Sequence, residues 1–388
     1  MGSASSLGMH TMKDIIREAV ARAELETRTV QTGYGGVLSA PQGKGAQTEL
    51  ESVLQSLTTR IKVVGCGGAG SNTIQRCMED DLGEGVELVA LNTDAQHLLA
   101  VRAPHKVLIG RHLTRGLGAG ALPQIGEEAA LETEADLRAH VAGQDIVFVT
   151  CGLGGGTGTG SAPVVAKLAR EAGALTIAVC SLPFRYEGAV RMENAEAGLA
   201  RMRDVCDTVI VIPNDKLLEI APRLPLAQAF KVADGVLMRC IKGITEIITK
   251  PGLVNRDFAD LKTIMKRGGV AMIGIGESDG KERARDAVLE ALNSPLLDVD
   301  ISDATGALVM VVGGRDMTMQ EAMQAVQEVH ERVNRDARVL FGARIDEAMD
   351  RAIRVMLVIT GVKSRQILGP TPQKVEKQRK EMGLDFVL

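Results

Sequence analysis

With 388 residues the chain has room for two or three domains and a large buried core. A formal charge of −4, from 45 Lys+Arg against 49 Asp+Glu, offers no pull on a nucleic-acid backbone, and an aromatic content of 2% with no Trp leaves little for bases to stack on. Nucleic acid is disfavoured as a partner on both counts.

In chain order, residues 11–26 carry Ile15, Ile16, Ala19, Val20 and Ala23 on one helical face. A glycine-rich gap over 33–45 follows, and then Thr48-x-x-Glu51 forms a capping-box signature ahead of Val53, Leu54 and Leu57. Residues 1–57 therefore read as an N-terminal helical extension. From residue 61 apolar runs at 61–64, 86–91, 106–109, 145–150, 175–180 and 208–212 alternate with helical segments. Continuous apolar strands separated by helices predict a doubly wound α/β domain, with a parallel sheet covered on both faces, over 58–225. Residues 226–250 read as one long, mostly apolar helix between Pro225 and Pro251-Gly252. Strand candidates at 270–275 and 307–312, helices at 281–292 and 319–332, and an apolar stretch at 354–360 predict a smaller α/β unit over 251–368. The remainder, 369–388, reads as a flexible tail.

Three glycine clusters follow three different strands. The first, Gly65-Cys66-Gly67-Gly68-Ala69-Gly70, has the G-x-G-x-x-G spacing of a dinucleotide fold and taken alone favours NAD or FAD. The second is Gly116-Leu117-Gly118-Ala119-Gly120. The third, Gly154-Gly155-Gly156-Thr157-Gly158-Thr159-Gly160-Ser161, lies between the strand at 145–150 and a helix over 161–173 that begins with an early Pro163. A linker would have polar, aperiodic flanks; these are apolar and periodic. Glycines let a backbone approach phosphate, hydroxyls add donors, and a helix start presents free N–H groups to negative charge. One such loop suits a pyrophosphate; several converging at the carboxyl edge of a sheet suit a triphosphate, and no G-x-x-x-x-G-K-[ST] is present. Cys66, Cys77, Cys151, Cys180, Cys206 and Cys240 form no C-x-x-C pair and sit mostly in apolar segments, so they read as small buried hydrophobes, and the six histidines show no metal spacing. No metal-ligating set is expected from the protein. With no run of about 18 apolar residues and no signal-peptide pattern at the start, the expectation is a cytoplasmic protein without direct membrane insertion.

On these residues the chain resembles the tubulin and FtsZ family of polymerising GTPases, in particular its FtsZ branch, over about residues 58–365. GGGTGTGS between a strand and a helix is close to diagnostic. Supporting segments are Asn92-Thr93-Asp94-Ala95-Gln96, Pro183-Phe184-Arg185-Tyr186-Glu187-Gly188 and Asn255-Arg256-Asp257-Phe258-Ala259-Asp260. Ala69 and Ser71 stand where the family often has more glycine, and the N-terminal extension is more like that of archaeal members. The resemblance implies that Gly67, Gly68, Ala69, Gly70, Ser71, Asn72, Asp94, Gly118, Ala119, Gly120, Gly154, Gly155, Gly156, Thr157 and Gly158 bind GTP or GDP with Mg2+, the segments 68–72, 116–120 and 154–158 surrounding the phosphates. It further implies that Glu187 and Arg191 hold the ribose and α-phosphate side, and that Phe230 and Asp234 contact guanine. A carboxylate accepts from both N1–H and the exocyclic amine of guanine, a donor pair adenine lacks. Without the loops upstream, Asp234 would read as an exposed helix acid and Phe230 as a core aromatic.

Asp257 and Asp260, with Asn255 before them, share one helical face and can orient a water for attack on a γ-phosphate. The same residues also suit ordinary helix-start chemistry, with Asp257 as N-cap. In the family such an acidic loop completes the GTP site of a neighbouring subunit, which implies hydrolysis coupled to head-to-tail assembly into filaments. The expected function is a filament-forming GTPase of the cytokinetic ring at mid-cell. A tubulin-like cell-shape GTPase and an NAD-linked oxidoreductase are the alternatives. In the tail, Lys374, Lys377, Arg379 and Lys380 precede Leu384, Phe386, Val387 and Leu388, a pattern suited to a membrane-anchoring division adaptor or to folding back on the body.

Overall fold

The computed structural model describes residues 59–80, 82–83, 85–220, 225–249, 258–266, 268–297 and 299–362. The N-terminal extension, the tail, Asn255 and Asp257 lie outside the described residues.

Strands β1 (Ile61–Cys66), β2 (Val86–Asn92), β3 (His105–Leu108), β4 (Ile146–Gly152), β5 (Leu175–Leu182) and β6 (Thr208–Pro213) pair in parallel in the order β3-β2-β1-β4-β5-β6. Both faces are covered, so alternate residues of each strand enter different cores. From β1, Val64 and Cys66 join the cluster of Ala129, Ala162 and Val165, whereas Ile61 and Val63 join that of Ile74, Leu237 and Ile241. Helices α1 (Gly67–Cys77), α2 (Ala95–Ala100), α3 (Arg111–Thr114), α4 (Pro123–Glu132), α5 (Glu134–Val141), α6 (Thr157–Glu171), α7 (Ala189–Val205) and α8 (Asn214–Ile220) complete this part of the fold. Helix α9 (Leu226–Thr249) is the long helix expected from the sequence. It packs beneath the sheet and also against Leu308, Met310, Leu340 and Met356 of the following unit.

Two features of that unit go beyond what the sequence suggested. Its strands continue the first sheet: after α10 (Phe258–Met265), β7 (Gly269–Ser278) runs parallel to β6 through Thr208, Val209 and Ile210, making one ten-stranded sheet of the described residues. An uncovered β6 would leave a row of unpaired backbone groups, and β7 covers its first half. The unit also contains a strand that periodicity missed. After α11 (Arg283–Leu292), β8 (Gly306–Gly313) and α12 (Met319–His330) comes β9 (Arg338–Ile345), parallel to β8, while β10 (Ile353–Thr360) lies antiparallel between β7 and β8. Arg338, Gly342 and Arg344 break the apolar pattern of β9, whose pairing comes from its neighbour across the sheet.

Candidate nucleotide site

The loops after β1, β2 and β4 leave the carboxyl edge of the sheet side by side. Helix α6 begins at Thr157, a turn earlier than expected, so Gly158 and Gly160 are helical and Pro163 lies inside the helix. Close packing requires this. An added Cβ at Gly158 would sit 2.9 Å from the Gly152 oxygen, and one at Gly160 2.0 Å from the Pro123 oxygen on α4. Gly67, at φ +72, approaches the Gly158 nitrogen in the same way, Gly70 the Thr150 oxygen, Gly154 the Arg191 oxygen, and Gly156 the backbone of Leu122. These glycines lock the loops to one another. At Gly68, Gly118, Gly120 and Gly155, by contrast, a Cβ would meet nothing within 4 Å. The glycine set therefore divides into a packing group and an open group, and the open group belongs to all three loops.

Further bonds join the second loop to the others. Asp94 forms an isolated antiparallel bridge with Leu117, the Gly118 nitrogen donates to the Thr93 oxygen at 3.2 Å, and the Thr93 and Thr157 hydroxyls meet at 2.6 Å. Ala119 is buried against Gly156. Neither α1 nor α6 has a side-chain cap, so their first backbone donors remain available to an anion at the cradle. Ala69 is half-buried and its carbonyl accepts from the Thr73 hydroxyl, while the Ser71 hydroxyl is buried with no partner among the described residues.

Beside the cradle, Glu187 accepts from the Phe184 nitrogen at 2.9 Å and from Arg191, whose guanidinium is half exposed. Buried Phe184 stacks on Tyr186 at 5.0 Å and meets Phe230 edge-on at 5.3 Å. The two residues assigned to the base reverse their ordinary readings: Phe230 is 39% exposed and Asp234 only 8%. Burial pushes the Asp234 carboxyl up to about 7, against the opposing pull of Arg76 and a hydrogen bond from Asn72. A half-exposed ring beside a recessed acid is a suitable seat for a flat base with two donors. Sequence reasoning missed Thr93, Arg76 and His97 as members of this neighbourhood; the segment containing Asn92 to Gln96 was the available signal.

Asp260 is elsewhere. It is exposed in the first turn of α10, whose Met265 carbonyl accepts from Thr208 at the start of β6, so α10 lies at the amino edge of the sheet. The glycine loops lie at the carboxyl edge, roughly 20 Å away along strands of this length. Asp260 and the cradle are not brought together within one chain.

A family model described as "Tubulin/FtsZ family, GTPase domain" matches residues 60–222, and one described as "FtsZ family, C-terminal domain" matches 269–363. The chain is 55% identical to Cell division protein FtsZ 1 of Archaeoglobus fulgidus over 97% of its own length and 99% of the relative's.

The chain belongs to the tubulin/FtsZ family of GTPases.

Cell division protein FtsZ 1 of Halobacterium salinarum is 56% identical over 92% of this FtsZ-family chain and 90% of the relative. Among solved structures, an empty FtsZ dimer from M. jannaschii matches with a TM-score of 0.78 at 56% identity, covering 83% of this chain and 94% of that one. A GTPgS-bound protofilament of CetZ2 from Haloferax volcanii, at 22% identity, TM-score 0.69 and coverage of 83% and 100%, shares the fold. The cell-shape and NAD readings are not favoured by these matches. No helix among the described residues is long and apolar enough to cross a membrane.

Proposed function

We infer that this GTPase of the cell-division branch carries half of its hydrolytic site on each edge of the sheet, so that a working site forms only between two copies joined head to tail. The observation carrying this is the separation of Asp260, at the amino edge, from the glycine cradle at the carboxyl edge. Guanine lies against Phe230 and donates to Asp234. The triphosphate lies over Gly68, Gly118, Gly120 and Gly155, with the uncapped starts of α1 and α6 and the Thr157 hydroxyl as donors, and Glu187 and Arg191 flank the sugar side. Asn255, Asp257 and Asp260 of the next copy orient the attacking water, and an aspartate of the pair accepts its proton.

Mg2+, when bound with the nucleotide, would supply neutralisation of phosphate charge. Among the described residues no group of three or more His, Cys, Asp or Glu could hold a metal ion.

A head-to-tail contact repeats without closing and yields a filament. The M. jannaschii relative's description as an FtsZ dimer supports self-association. The tail would connect such a filament to a membrane-anchoring adaptor at mid-cell. The deciding experiment mixes Thr157→Ala, impaired in the cradle, with Asp260→Ala, impaired in the opposite edge. Recovery of GTPase activity in the mixture, together with a wild-type rate per molecule that rises with protein concentration, is expected; a concentration-independent rate would sink the shared site.

A further inference from the structure

The base-reading and phosphate-side loops are joined by a chain of hydrogen bonds through His97. The Asp94 nitrogen donates to Asn92 Oδ1 at 3.2 Å, and Asn92 Nδ2 lies 3.1 Å from His97 Nδ1. His97 Nε2 lies 3.2 Å from Asn72 Oδ1, and Asn72 is a neighbour of the Asp234 carboxyl that favours its ionised form against burial. Only one arrangement of protons satisfies every member. The Asn92 amide is a donor, so His97 Nδ1 must accept. His97 Nε2 then carries the hydrogen and gives it to the Asn72 oxygen, leaving the Asn72 amide nitrogen as a donor available to the carboxylate. Every bond points the same way, towards Asp234. The ring is held at its backbone as well, because the His97 nitrogen donates to Asp94 Oδ1 at 3.0 Å, and Asp94 is bridged to Leu117 in the second glycine loop.

We propose that His97 is a positioning residue for guanine recognition, holding Asn72 and through it Asp234 in register with the phosphate-side loop that contains Asp94. The proposal rests on Asp234 reading guanine. A neutral imidazole spanning two amides has no slack: rotating the ring or exchanging its proton would set donor against donor at Asn92 or acceptor against acceptor at Asn72. A displaced phosphate-side loop would therefore shift the acceptor that selects the base. His97 is only partly buried, so its replacement does not open a core cavity.

The test measures dissociation constants for GTP and ITP, which lacks the exocyclic amine, on the full chain at concentrations too low for assembly. His97→Leu should weaken GTP about tenfold, the upper scale of one neutral hydrogen bond, and weaken ITP less, narrowing the preference. His97→Gln, which again offers an acceptor and a donor, should restore most of it. In an Asp234→Ala background His97→Leu should cost nothing further. Equal weakening of both nucleotides, no weakening at all, failure of Gln to rescue, or additivity with Asp234→Ala would each overturn the proposal. If Asp234→Ala alone leaves the preference for GTP over ITP intact, the reading of Asp234 fails first, and the proposal with it.

Discussion

At the scale of single residues, Asp234 makes the sharpest demand on conditions. Its carboxyl is pushed up to about 7 by burial, whereas the proposed contact with guanine needs it ionised. Nucleotide binding should therefore be about tenfold weaker at pH 6 than at pH 8, with proton release on binding near neutrality, both measurable by calorimetry in buffers of different ionisation enthalpy. Asp234→Asn should flatten that profile as well as weaken GTP. The effect on the nucleotide-free fold has the opposite sense. A raised carboxyl contributes stability that is complete below its unfolded value and lost as pH climbs through about 7, so the wild type should lose melting temperature over that window relative to Asp234→Asn. The cysteines behave as the sequence suggests. Cys66, Cys151 and Cys180 are register partners across β1, β4 and β5, all buried, and burial drives Cys66 upward. They are poor nucleophiles despite their nearness to the cradle.

At the scale of elements, the fit of α4 against α6 holds the third loop in place, and the two glycine classes can be separated by adding a single methyl. Gly160→Ala would drive a Cβ to 2.0 Å from the Pro123 oxygen, backbone that cannot easily yield, and should destabilise the domain by about 3 kcal/mol in chemical denaturation. Gly155→Ala meets nothing of the protein and should leave the melting temperature almost unchanged while weakening nucleotide binding. A Gly155→Ala variant that unfolded easily but bound normally would place that glycine in the packing class. In the second unit, Arg283 is held by Glu321 and Asp316, each at 2.6 Å, and by the Arg351 carbonyl at 2.8 Å. This pairing lowers Glu321 to about 2, with Thr318 at the start of α12 contributing through its capping box. Removing the cation leaves two acids facing each other, so Arg283→Ala should cost about 3 kcal/mol of stability without changing GTP affinity. For Glu321 the sign is that of a lowered carboxylate: its contribution is present above the usual value near 4.5 and disappears as pH falls towards 2.

At the scale of the whole molecule, the proposed sharing of one site between two edges would make activity a property of the assembly. Deleting residues 370–388 should leave the concentration dependence of GTPase activity intact while abolishing recruitment to the division site in cells. Fluorescence microscopy of the truncated protein beside its solution rate checks both halves. A large fall in melting temperature with recruitment unaffected would instead mean that the apolar end packs on the body.

The sequence by itself determined that a parallel, doubly wound domain exists, that a long helix follows it, and that glycine loops follow its strands at the positions where a phosphate cradle is proposed. Those features are written in local patterns: continuous apolar strands, helix boundaries at proline, and glycine with threonine between strand and helix. It did not determine that β7 completes β6, or that β9 is a strand, because pairing across a sheet is settled by distant neighbours rather than by a segment's own periodicity. Nor did it separate glycines that pack from glycines that line the cradle, since both are identical in sequence and differ only in what a methyl would meet. The burial of Asp234, the exposure of Phe230 and the chain through His97 depend on residues tens to more than a hundred positions apart. Only the tertiary structure decided them, because desolvation and hydrogen-bond direction are set by which side chains the fold brings together.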